Sequence, residues 1–232
     1  MIRGLLALGL AGMAQATTVV TLQPIADTHA SAANAVTNYG SAGALAVSGS
    51  GNTKGAFQSV LRFDLASVKS TFDATYGAGN WTLDSLQLQL TAATPNNTIF
   101  NANAAGLILI EWLADDTWLE NSTNWNSLPA VIAAGSESLG SFGYLGASSG
   151  TQLATLTSSL GFSADLSAGS TASFRLAAGD TLVSMVTNSR NFGTVANRPT
   201  LILTASPEPS RTLLTLLALS AVALHRRRYT AR

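Results

Sequence analysis

The strongest pattern along the chain has a period of two. Leu86, Leu88 and Leu90 alternate with Ser85, Gln87, Gln89 and Thr91, which predicts a strand with one buried and one wet face. Leu61, Phe63 and Leu65 alternate with Arg62 and Asp64 in the same way. Leu107 to Leu113 is almost continuously apolar with Glu111 inside it, and Phe174 and Leu176 flank Arg175. The runs 182–186 and 201–204 predict two further strands. Turn-forming residues crowd 38–55, 76–80, 94–103, 146–151 and 188–199. A helical period is missing except for one short candidate, Ala66 to Phe72. Short strands joined by polar loops predict an all-β fold, a single β-sandwich of jelly-roll-like kind.

Both ends break this pattern. Arg3 is followed by an apolar stretch from Gly4 to Met13, and Ala14-Gln15-Ala16 has the small-x-small form of a leader cleavage site. Residues 1–16 therefore read as a secretory signal peptide, with Ala14 and Ala16 marking the cut and Thr17 the first mature residue. At the other end Pro207-Glu208-Pro209-Ser210 precedes an apolar run of 13 residues, Thr212 to Leu224, and then Arg226-Arg227-Arg228. As a short hydrophobic helix that run would rise about 20 Å, against about 30 Å of bilayer hydrocarbon, so it is a marginal span. The arginines would stay on the cytoplasmic side and leave the rest of the chain outside.

This second arrangement resembles a PEP-CTERM sorting signal. The resemblance implies an exported protein of a Gram-negative, exopolysaccharide-producing bacterium. It also implies a transient inner-membrane anchor and processing near the motif by an exosortase, a membrane cysteine transpeptidase. Arg211 stands where an apolar residue is usual in such signals. The plainer alternative is a C-terminal membrane anchor that is never cut. The expected organisation is thus a leader over 1–16, one domain over 17–204 and a sorting segment over 205–232.

Composition narrows the partners. Between residues 17 and 204, six basic against eleven acidic side chains leave a net charge of −5. No basic stripe is present to meet phosphate, which argues against nucleic acid. Cysteine is absent, so an exported domain of this kind must hold together by packing and backbone pairing.

Four segments in order carry a second resemblance: Ala26-Asp27-Thr28 with Tyr39-Gly40 after it; Ser59 to Leu65; Trp118-Leu119-Glu120 with Thr123-Asn124-Trp125-Asn126 and Pro129; and Ser189-Arg190 with Arg198-Pro199-Thr200-Leu201. The set resembles the DNRLRE-type β-sandwich related to carbohydrate-binding module family 96. The resemblance implies association with polysaccharide and no catalytic role. His29 stands where a tyrosine is common, Asn124 separates Thr123 from Trp125, and the segment before Phe174 departs from the pattern.

The candidate chemistry follows. Trp118 and Trp125, with Glu120 between them, are candidates for stacking on and hydrogen bonding to sugar; equally, the two indoles read as pins holding a loop to the sandwich. Trp112 shares a face with Ile110 and reads as core, and Trp81 as a plug at a strand start. Asp115 and Asp116, crowded with Glu111 and Glu120 in one segment, and separately Asp27 with Asn34 and Asn38, are candidate oxygen ligands for a structural calcium, the one cofactor these residues leave open. Solvated loops account for the same acids. Asp115 and Glu120 could be imagined as the carboxylate pair of a glycoside-cleaving enzyme. Against that, the only mature histidine is His29 and no G-x-S-x-G elbow or phosphate-binding loop is present. The reading that results is an exported, non-catalytic cell-surface or matrix protein associated with polysaccharide. The alternative is an envelope component with no discrete ligand.

Overall fold

The computed structural model describes residues 16–93, 103–147 and 149–208. The leader, the apolar tail and its arginine cluster, from Pro209 on, lie outside the described residues, as does most of the turn-rich stretch 94–103. Eleven strands and three helices are described: β1 (Thr18–Leu22), β2 (Ala26–Ser31), β3 (Ala44–Ser48), β4 (Phe57–Asp64), α1 (Ala66–Tyr76), β5 (Trp81–Thr91), β6 (Gly106–Leu113), α2 (Leu128–Ala133), β7 (Ser136–Tyr144), β8 (Thr151–Leu156), α3 (Leu160–Ala168), β9 (Thr171–Ala178), β10 (Ser184–Asn188) and β11 (Thr200–Pro207).

The strands form two antiparallel sheets. One has the order β1-β11-β5-β8; the other runs β10-β3-β4-β9-β6-β7, with β2 also paired to β4. The alternation over 85–91 places Leu86, Leu88 and Leu90 inward, opposite Leu203 and Leu201 of β11 and Leu156 and Ala154 of β8. Leu61, Phe63, Ile108, Ile110, Phe174 and Leu176 meet them from the second sheet in one core. Two packed sheets around a shared apolar interior are the sandwich that the period-two pattern predicts.

The expectation of a single short helix is corrected. The first helix runs four residues past Phe72 to Tyr76, and α2 and α3 exist besides. The α3 signals are local: the Ser159 hydroxyl accepts the Phe162 N–H, and Gly169 ends the helix at φ +68°. Its apolar stripe is only Phe162 and Leu166, which is too little to stand out as a period. Together α1 and α3 carry Val68, Phe72, Phe162 and Leu166 into the core. β1, β2, β3, β7 and β8 also escape the pattern. In β2 every residue of Ala-Asp-Thr-His-Ala-Ser is buried, so polar and apolar positions do not separate onto two faces. Among the described residues no helix is long and apolar enough to cross a membrane.

A second, smaller core lies on the outer face of the larger sheet. The loop from β6 to β7 folds back across it and packs Trp118, Leu128 and Val131 on Val60, Leu113, Ala26 and Ala30. This loop shapes the surface described next.

Candidate functional site

The motif residues first build a scaffold. Asp27 on β2 is 1% exposed; its Oδ2 accepts the Arg190 backbone N–H at 2.6 Å, and its Oδ1 has no partner. Burial pushes this carboxyl up to about 7, only partly offset by the Arg190 N–H, with the Glu120 carboxylate nearby adding to the rise. Glu120 takes the Arg190 guanidinium in a two-pronged grip at 2.7 and 2.9 Å, which raises the arginine pKa further. Asn38 donates to the Glu120 and Thr123 carbonyls at 2.8 and 2.7 Å. Asn191 donates to the Gly40 carbonyl at 2.7 Å. Gly40 presses on the loop so closely that a Cβ there would stand 2.1 Å from the Glu120 carbonyl oxygen. Four remote segments are thereby tied together, leaving a surface depression of 420 Å³ bordered by Asn38, Glu120 and Asn191.

The arginine of the Leu61-Arg62-Phe63-Asp64 strand anchors the same loop. Its guanidinium donates to the Asp116 carbonyl and, at 2.9 Å, to the Trp118 carbonyl, and lies 5.1 Å above the Trp118 ring. Trp118 is 4% exposed and donates its indole N–H to the Ser173 hydroxyl at 2.9 Å. Asp115 caps Thr117, accepting both its N–H and its hydroxyl at 2.7 Å. Burial raises the Asp116 pKa, against the Ser173 and Thr171 hydroxyls that lower it. Asp27 is held by Arg190, while Asp115 and Asp116 belong to the loop over β9. Among the described residues no group of three or more His, Cys, Asp or Glu side chains is placed to hold a metal ion.

The four tryptophans now separate. Trp81 donates to Asp73 at 2.8 Å, Trp112 to Asp165 at 2.7 Å and Trp118 to Ser173. None of the described hydrogen bonds uses the Trp125 indole N–H. Trp125 is half-buried and, with Leu128, Pro129 and Ile132, walls a groove of 280 Å³ that reaches Gln58 on β4. From Gln58 a second hollow, 370 Å³, continues over Arg175 and Ala177 of β9 to the loop at Asp180. Arg175 lies opposite Glu111 in the β9–β6 register. Its Nε donates to the Gln58 side-chain Oε1 at 2.9 Å and its Nη1 to Glu111 Oε2 at 2.5 Å. An indole wall thus leads onto a floor of planar polar groups fixed to one another. Such a surface can meet an apolar ring face and hydroxyl groups together.

The profile of carbohydrate-binding module family 96 matches residues 18–205. The chain belongs to carbohydrate-binding module family 96. Six of the residues that carry the family-96 resemblance, Asp27, Gly40, Arg62, Trp118, Glu120 and Arg190, hold loops to sheets, with Asn38 beside them. Of the three binding candidates in the family-96 loop, only Trp125 borders a groove with an unengaged polar edge. Glu120 and Trp118 are tied into the fold. Gln58, Glu111 and Arg175 are the part of this family-96 surface that sequence reasoning missed. Arg175 between two core residues and Glu111 inside an apolar run were visible singly, but only the strand register makes them a pair. No curated protein matches the chain.

Proposed function

We propose that this protein is a non-catalytic, polysaccharide-associated component of the cell surface or extracellular matrix, binding its polymer along the Trp125–Gln58–Arg175 groove. The observation that carries the reading is Trp125. Among the described residues it is the tryptophan whose N–H has no hydrogen-bond partner, and it borders a groove in a family-96 domain. Export through a leader cut after Ala16 and sorting through Pro207-Glu208-Pro209-Ser210, the apolar run and Arg226-Arg227-Arg228 belong to the same proposal. Its processing partner is an exosortase-type membrane enzyme, with the tail a transient inner-membrane anchor. The carboxylates that a glycoside-cleaving reading would use, Asp115 and Glu120, are engaged by Thr117 and Arg190.

Affinity electrophoresis through gels of neutral and acidic bacterial, algal and plant polysaccharides tests the binding. Retardation of the wild type that Trp125→Ala and Arg175→Ala abolish supports the groove. Free migration in every gel leaves a structural component without a ligand. Mass spectrometry of the exported form tests the sorting: a retained arginine cluster contradicts it.

A further inference from the structure

Tyr39 belongs to the motif turn between Asn38 and Gly40, yet the scaffold uses only its neighbours. Its ring stacks on the His29 imidazole with centroids 4.3 Å apart and planes 17° from parallel. His29 is fully buried, and its Nδ1 lies 3.2 Å from the Ala44 carbonyl oxygen. Burial lowers the imidazole to about 4, so at neutral pH the tyrosine rests on an uncharged flat support.

Tyr39 borders a cavity of 630 Å³ that His29 behind it does not reach. Phe57, 6% exposed, borders both this cavity and the hollow over Arg175, so the two concavities adjoin at one residue. The rim is polar: Asn34, Thr53 and Lys54 are exposed around it. The rim loop is held in place. Asn52 donates to the Leu182 and Val183 carbonyls at 2.9 and 3.0 Å, and the Gly55 N–H closes a turn on the Asn52 carbonyl at 2.9 Å, with φ +78° at Gly55.

A pyranose unit has the matching amphipathic form, with C–H bonds on one face and hydroxyls around the edge. The volume falls within the roughly 300–1,000 Å³ of small-ligand sites. We propose that this cavity is a second sugar subsite. It takes a single terminal or branch unit, by its ring face against Tyr39, of a polymer whose main run lies along the groove. The proposal rests on the polysaccharide reading above.

The test uses the full chain and titrates it calorimetrically with disaccharides and hexasaccharides of three kinds: neutral glucans, oligouronates and chitosan oligomers. Asn34→Trp plugs the mouth from an exposed position, Tyr39→Leu removes the platform, and Trp125→Ala cuts the groove. Disaccharide binding that Asn34→Trp and Tyr39→Leu each weaken about tenfold, and Trp125→Ala leaves unchanged, supports the subsite. Disaccharide binding untouched by Asn34→Trp but lost in Trp125→Ala overturns the subsite and keeps the groove. An absence of binding by any oligosaccharide overturns both. Asn34→Trp keeps the test decisive should Tyr39→Leu fail to fold.

Discussion

Between about pH 4 and 6.5, two titratable side chains two residues apart on β2 carry opposite charges in the unfolded chain and are mostly neutral in the fold. Burial holds Asp27 up to about 7 and His29 down to about 4. An acid whose folded pKa is raised contributes stability below its unfolded value of 3.8 and loses it as pH rises toward 7. A base whose folded pKa is lowered contributes stability above 6.5 and loses it as pH falls toward 4. Between about pH 4 and 6.5 the two slopes oppose, so folding moves a proton from one residue to the other and takes up none. Asp27→Asn, which still accepts the Arg190 N–H, is expected to expose the histidine slope: urea-unfolding stability falls by about 3 kcal/mol from pH 6.5 to 4 relative to wild type. His29→Asn is expected to expose the reverse slope, falling by a similar amount toward pH 7. Identical pH profiles for all three proteins contradict the account. Gly40→Ala is expected to cost more than about 3 kcal/mol, since its Cβ would collide with the Glu120 carbonyl; thermal melts measure it.

At the scale of elements, β11 holds the start of the proposed sorting motif. Pro207 is opposite Trp81, the Glu208 N–H donates to the Asn80 carbonyl at 2.9 Å, and Ser206 donates to Asp84 at 2.9 Å. The register shift between Thr204 and Ala205 sets these last rungs apart from the rest of the ladder, and β1 reaches no further than Ala205. An enzyme that takes the motif as an extended segment must strip them from β5 first. On the proposed sorting, a Gly-Ser linker inserted between Ser206 and Pro207, which leaves the Pro-Glu-Pro-Ser run whole, is expected to speed tail removal several-fold in pulse-chase, and a rate equal to wild type contradicts this. Elements also show what could be read in advance. β4, β5, β6 and β9 were visible because each separates apolar from polar residues or runs apolar throughout. Buried β2 does neither, since Asp27, Thr28, His29 and Ser31 are buried along with its two alanines. α2 and α3 were hidden because two or three anchoring residues per helix make no recognisable period.

Across the whole molecule the two ends of the domain leave side by side. Thr18 pairs with Ala205, and the Tyr76 hydroxyl lies 2.9 Å from the Ala16 carbonyl, 2.8 Å from the Thr18 hydroxyl and 3.1 Å from the Ala205 carbonyl. A chain cut to residues 16–208 is expected to unfold in one transition at the same midpoint as the full chain, because the shared core lies within those limits; circular dichroism melts check it. Arg62→Lys is expected to destabilise by roughly 1–3 kcal/mol, since a lysine cannot span two carbonyls and the Trp118 ring at once. The sequence alone determined the class of fold, because period-two alternation obliges a chain to bury one face of each sheet. It also supplied the ordered motif set by which the domain is recognised. What only the tertiary structure decided was the division of labour among those motif residues and the position of the groove. Burial, strand register and the use of each indole N–H arise from contacts between segments as far apart as Thr18 and Ala205, and no local pattern encodes them.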